Sequence, residues 1–234
     1  MRVPKLDPDL AARLAAGYPE VVDYLTANSC LPGPRANLEL LAAAGELLPP
    51  EHGARLRAEQ DEYLRCCGVM VLPRQFGEDP VGATLLLTRA AADHSWRVRE
   101  AVAMAAQRVG DESFGGLLAL VDSWLDEPDP LVQRAAVAAI CEPRLLQSPE
   151  AAAQALSACS RATTFLLTLS DEQRRQADVR TLRQGLGYCW SVAVAADPVA
   201  GMSAFLDLDT TDADLGWIVR TNRTKARLKK HLAG

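Results

Sequence analysis

The chain has 234 residues, 49% of them hydrophobic but only 5% aromatic, with 25 Lys/Arg against 30 Asp/Glu for a net charge of −5. That balance is too apolar for a disordered chain, too poor in β-branched and aromatic residues for an all-β protein, and too acidic for non-specific binding of nucleic acid over the whole surface. No run approaches about 18 uncharged apolar residues, as a membrane-crossing helix requires, and Met1-Arg-Val-Pro-Lys-Leu-Asp7 has no apolar core of a secretory leader. The expectation is a cytoplasmic, nearly all-helical protein of one domain or at most two.

In chain order, breakers fall at Pro19, Asn28, Pro32-Gly33-Pro34, Pro49-Pro50, Pro73, Gly77 to Pro80, Gly110, Glu127 to Pro130, Pro143, Pro149, Asp197-Pro198 and Asp209 to Asp214. Between them lie segments of roughly 12–20 residues with helical periodicity. Asp79-Pro80, Asp129-Pro130, Ser148-Pro149 and Asp197-Pro198 each place a capping side chain before a proline at the first helical position. No segment alternates apolar and polar residues as a half-buried strand does.

An internal repeat is visible at an offset of 34 residues, where Ser95-x-x-Val98 matches Asp129-x-x-Val132. The same offset pairs Arg99 with Gln133, Ala101 with Ala135, Val102 with Ala136 and Ala105 with Ala139. Each copy follows an apolar helix and a short acidic turn. Degenerate copies stand at Asp178-Val179-Arg180 and Asp214-Leu-Gly-Trp217.

The pattern of apolar helix, Asp-containing turn and Val-Arg-x-Ala-Ala resembles the HEAT repeat. It stands here as Ser95-Trp-Arg-Val98-Arg99-Glu-Ala101-Val and as Asp129-Pro-Leu-Val132-Gln133-Arg-Ala135-Ala136. The likeness is clear over 80–146 and weaker over 175–231, while 1–78 fits by helix length. Gln133, where the motif usually has Arg, is expected to weaken the polar ladder between repeats. The resemblance implies an all-α fold, a single α-solenoid domain over 1–234 of about five or six antiparallel helix pairs, whose concave helices carry any ligand. HEAT-like repeats occur in scaffolds, in bilin lyases and in a class of DNA alkylpurine glycosylases. The leading expectation is a non-enzymatic binding or scaffold protein with a protein partner. The alternative is a DNA-binding protein or glycosylase similar to that last class.

Helical faces supply the candidate residues, since a helix advances about 100° per residue. In 95–109, Val98, Val102, Ala105 and Val109 form a core stripe, with Trp96, Glu100, Ala103 and Gln107 opposite. Trp96 and Glu100 either face a ligand, with Glu100 against a cation or as a base in the glycosylase alternative, or pack on the neighbouring repeat, with Glu100 paired to Arg134. In 178–195, Val179, Leu182, Leu186, Trp190 and Ala193 face the core, and Arg180, Gln184, Gly187, Tyr188 and Ser191 face away. Gly185 and Gly187 each cost about 1 kcal/mol in mid-helix, offset either by close helix contact or by a ligand near the backbone.

A last helix is expected over 214–231. Trp217, Ile218, Leu228 and Leu232 face one side, and Arg220, Arg223, Arg227 and Lys230 fall within about 80° on another. Residues 215–234 hold six Lys/Arg and no acid. The stripe suits DNA, RNA or an acidic protein, or else a solvated cap of the solenoid.

Little points to catalysis. His52, His94 and His231 form no metal motif, and no nucleophile elbow or Walker loop is present. None of Cys30, Cys66, Cys67, Cys141, Cys159 and Cys189 has C-x-x-C spacing, so buried free thiols are expected and no metal or cofactor is.

Overall fold

The structure, a computed structural model, describes residues 7–232, without the side chain of Leu232. The expectations placed on Met1–Leu6 and on Leu232 therefore lie outside the described residues. Those residues form α-helices joined by short turns, with one 3₁₀ turn at Pro143–Leu145 and no strand among them. The chain divides into two compact units, Met1–Val109 and Gly110–Gly234.

In the first unit, α1 (Pro8–Ala16) pairs with α2 (Tyr18–Ala27). α3 (Leu38–Leu47) and α4 (Pro50–Arg57) pack on α5 (Glu62–Met70), and the short α6 (Leu72–Phe76) packs on α7 (Pro80–Ala91). α8 (Trp96–Glu112) follows and runs to the division. α4 and α5 approach at backbone distance: a Cβ on Gly68 would lie 2.7 Å from both Arg57 N and Gly53 O. The turn before α8 is held by Arg65, whose Nε and Nη2 donate to the Asp93 carboxylate at 3.0 and 3.2 Å while Nη1 donates to the Gln60 carbonyl at 2.7 Å.

The second unit comprises α9 (Phe114–Leu125), α10 (Pro130–Ile140), α11 (Pro149–Thr168), α12 (Asp171–Arg174), α13 (Ala177–Ala196), α14 (Pro198–Leu206), α15 (Ala213–Arg223) and α16 (Ala226–Leu232). α13 is its centre and packs on α10, α11, α14, α15 and α16. Trp190 is buried there; its Nε1–H donates to Thr163 Oγ1 at 3.1 Å, and its ring lies against Phe205.

The capping signals are realised. Asp79, Asp129, Ser148 and Asp197 each accept a backbone N–H of the following first turn, and Asp7-Pro8 repeats the pattern at α1. Val98 and Val132 lie three residues past Ser95 and Asp129, and both are buried. In the degenerate copies the register shifts. The caps are Gln176 and Asp212, not Asp178 and Asp214, and three residues on lie buried Val179 and Leu215.

Three expectations are corrected, and one open alternative is decided. First, Gln133 keeps a backbone contact like that of Arg99, although its own Oε1 is buried without a partner. Arg99 donates to the carbonyls of Asp93 and His94 at 2.6 and 3.1 Å, and Gln133 Nε2 donates to those of Leu125 and Glu127 at 2.7 and 3.0 Å. Both side chains reach back to carbonyls left open where the preceding helix and turn end. Second, Ala103 is buried, and so are Gly187 and Ser191. α8 and α13 are covered on more than one side, so a single stripe does not describe them.

Third, the glycine cost in α13 is offset by helix contact. A Cβ on Gly185 would meet Arg134 Cγ at 3.1 Å, and one on Gly187 would meet Trp217 Cζ3 at 2.7 Å. Fourth, the helix expected over 214–231 breaks into α15 and α16. Lys225 N donates to Asn222 O at 2.9 Å, a tight three-residue step, and the Thr224 hydroxyl donates to Thr221 O at 2.7 Å. A Thr hydroxyl that competes for a helix carbonyl favours such an ending, and no Gly or Pro marks it. Asn222 is fully buried and bound to α13: its Oδ1 accepts from Ser191 N at 2.8 Å, and its Nδ2 donates to Leu186 O at 3.0 Å.

Two stability predictions follow from these contacts. Gly187→Ala should destabilise by about 1–3 kcal/mol despite its helix propensity, because a rigid indole occupies the space. Exposed Gly115 has only Ser113 Oγ near, at 3.9 Å, so Gly115→Ala should stabilise by about 0.5–1 kcal/mol. Urea midpoints of the two variants check both signs.

A third concerns acid. Burial pushes the Asp212 carboxyl up, but the backbone N–H groups of Leu215 and Asp214 and the Arg174 guanidinium at 2.6 Å outweigh it and hold the group below its ordinary value. A carboxyl depressed in the folded state stabilises above its unfolded value and loses that contribution as pH falls through the folded one. Arg174→Gln should therefore bring acid unfolding of the second unit to higher pH, read by circular dichroism.

Candidate functional site

The first unit holds an apolar cleft of ≈ 340 Å³. One wall is Pro34, Arg35 and Ala36 with Leu38 and Leu41 of α3. The floor is Tyr63 and Cys66 of α5, and the other wall is Trp96, Arg97, Glu100, Ala101 and Met104 of α8. Three helices meet here because each carries its own start signal: Asn37 caps α3, Asp61 caps α5, and Ser95 Oγ accepts from Arg97 N at the start of α8. Tyr63 Oη donates to Asn37 O at 2.7 Å, fixing α3 over α5. Arg97 pairs with Glu62 at 2.8 Å and lies 4.8 Å over the Trp96 ring.

Trp96 is 54% exposed and Leu38 is 55% exposed, so two large apolar side chains flank the opening. Exposed Arg35 adds a cation that has no carboxylate partner among the described residues. The Cys66 thiol on the floor is pushed up to about 12, first by burial and then by the Glu62 charge, so it is not a thiolate nucleophile at neutral pH.

Of the residues expected on α8, Trp96 and Glu100 thus line one cleft. Gln107 is half-buried further along the helix and does not line it. Leu38, Arg35, Tyr63 and Met104 were not among the expected residues. No local signal marks them, because the cleft exists only where three sequence-distant helices converge.

The second unit gathers the other candidates. Arg180, Gln184 and Tyr188 are exposed at four-residue steps along α13. The aliphatic stem of half-buried Arg134 lies against Gly185 beside them. Arg227 donates from Nη2 to Tyr188 Oη at 2.8 Å and stacks on its ring at 4.8 Å, and Lys225 Nζ lies 5.7 Å from the same ring. The break at Thr224 separates the expected basic stripe: exposed Arg220 and Arg223 belong to α15, whereas Arg227 and exposed Lys230 belong to α16. Lys225, which only this break brings to Tyr188, was not among the expected residues.

All six cysteines are free thiols, and all but Cys30 are buried. Cys141 and Cys159 approach to 3.7 Å between sulfurs. The Cys141 thiol stands well above its ordinary value, first through its hydrogen bond with Cys159 and also through burial. Among the described residues no group of three or more His, Cys, Asp or Glu is placed to hold a metal ion, and no helix is long and apolar enough to cross a membrane. A thiol reagent on the native protein should therefore modify Cys30 alone at a fast rate, with the other five reacting only on unfolding. Cys30→Ser should remove the fast phase.

No curated protein and no solved structure matches the chain. A family model of HEAT repeats matches residues 50–141, somewhat less than half the chain. That match begins at α4, thirty residues before the likeness visible in the sequence, and ends at Cys141 just after α10. The stretch from α4 to α10 is thus similar to HEAT repeats.

Proposed function

We propose that this protein is a non-enzymatic binding or scaffold module that docks a partner protein at the cleft of α3, α5 and α8. HEAT repeats generally serve protein–protein contact. The observation that carries the reading is the pairing of an apolar cleft with two half-exposed large apolar side chains, Leu38 and Trp96, at its mouth. An aromatic at the rim of a desolvated pocket is the usual form of a binding hot spot. The partner presents a bulky apolar side chain to the cleft and an acidic group to Arg35. Glu100 then serves at the rim as a charge that rejects acidic residues on its own side.

Selection of a displayed random peptide library on the protein tests this. Enriched peptides should carry a bulky apolar residue near an acidic one. Trp96→Ala, with unchanged circular dichroism, should weaken them by roughly 30-fold, the effect of truncating a hot spot worth about 2 kcal/mol. Peptides that bind Trp96→Ala and Leu38→Ser as tightly as the parent would refute the cleft as the docking site. Release of a base from alkylated DNA, lost in Glu100→Gln, would replace this reading by the glycosylase alternative.

A further inference from the structure

Eight arginines, Arg13, Arg65, Arg97, Arg108, Arg144, Arg161, Arg174 and Arg183, pair with carboxylates among the described residues, and none of them lies beyond Arg183. Of Arg220, Arg223, Lys225, Arg227, Lys229 and Lys230, none does so among the described residues, in a chain with five more acids than bases. The acids of α15, Asp212 at its cap and Asp214 in its first turn, are already held by Arg174 and Arg183.

Helix electrostatics accounts for part of this surplus. Arg220 and Arg223 end α15, and Lys229 and Lys230 end α16, where cations are favoured by the helix dipole. It does not account for Lys225 and Arg227, which stand just before and just inside the start of α16, nor for Arg180 in the first turns of α13. At helix starts a cation is disfavoured. These misplaced cations surround Tyr188. Arg227 is held by the phenol oxygen and the ring, Lys225 lies over the same ring, and Arg180 and Gln184 continue the row about 12 Å along α13. Tyr188 itself is 44% exposed.

We propose that Arg180, Gln184, Tyr188, Lys225 and Arg227 form a second binding surface, for the phosphate backbone and bases of single-stranded nucleic acid. An exposed aromatic ring set among cations is the arrangement that holds single strands, with charge tracking phosphates and the ring receiving a base. A protein partner fits less well. Among the described side chains α15 and α16 expose no large apolar group, and Tyr188 is the one such group this surface offers, whereas a protein interface has an apolar core. The surface lies wholly in the second unit and stands independently of the cleft.

The test is fluorescence anisotropy with a labelled single-stranded oligonucleotide of mixed sequence, titrated from 50 to 200 mM salt. Duplex DNA of the same sequence and polyglutamate serve as competitors. Three phosphate contacts predict a log–log salt slope of roughly −2 for a single strand. Replacing Arg180, Lys225 and Arg227 by Gln should remove most of that slope. These side chains sit on the surface, so folding should persist by circular dichroism. Lys229→Gln with Lys230→Gln should leave most of it. Tyr188→Ala should weaken binding roughly tenfold, as the loss of one stacked base does. The proposal is overturned by no binding at 50 mM salt, by a slope unchanged in the triple variant, or by equal competition from polyglutamate or preference for the duplex.

Discussion

Helix α13 is covered by α10, α11, α14, α15 and α16, and a helix so surrounded has little room for side chains. The consequence is written in its residues. Gly185 lets the Arg134 stem pass, Gly187 admits the Trp217 ring, and Ala193 is fully buried. The same demand shapes α8, where Ala101, Ala103, Ala105 and Ala106 are all buried, and α10, where Ala135, Ala136 and Ala139 are. Interiors pack at crystal-like density, so where two helices approach closely the contact is made by small residues. The scarcity of aromatics and the abundance of Ala in the composition express this constraint. The few large rings sit where one helix yields to another: Trp190 against Phe205, and Trp217 against Gly187.

Close packing of backbones raises a second problem, that of buried polar groups, which cost free energy unless paired. The chain meets it with a small set of side chains that reach backbone. Arg99 and Gln133 serve the turns before α8 and α10, and Arg65 serves the one before α5 as well as Asp93. Asn222 is the most embedded of them, bridging Leu186 O and Ser191 N of α13 from α15. Its two hydrogen bonds to α13 tie α15 to that helix in one register, and Trp217 meets Gly187 while α16 starts beside Tyr188.

The two surfaces differ in chemistry as their origins differ. The cleft is apolar because buried Leu41, Tyr63 and Cys66 and half-buried Met104 line it where α3, α5 and α8 converge. Its affinity would come from burying a partner's apolar side chain. The Tyr188 surface is cationic because acids are absent from 215–234 while the acids at the start of α15 are occupied. Its affinity would come from counterion release and stacking.

What was legible in the sequence is what local physics decides. Caps at Asp79, Asp129, Ser148 and Asp197, the all-helical class, the 34-residue repeat and the exposure of Trp96 and Tyr188 all follow from short-range pattern. Helix faces were legible only in part. A 100° wheel assumes one buried side, and Ala103, Gly187 and Ser191 are buried by helices that the wheel does not contain. The break at Thr224 was invisible for a related reason. No Gly or Pro announces it, and beside it Asn222 is held by Ser191 of α13, 31 residues away. The cleft, too, is tertiary, since Leu38, Tyr63 and Trp96 share no local pattern. The sequence by itself determined the helical class and the helix starts marked by a capping Asp or Ser before Pro. Only the packing of one helix against several decided which of their faces remain open to a partner, because burial depends on neighbours far away in the chain.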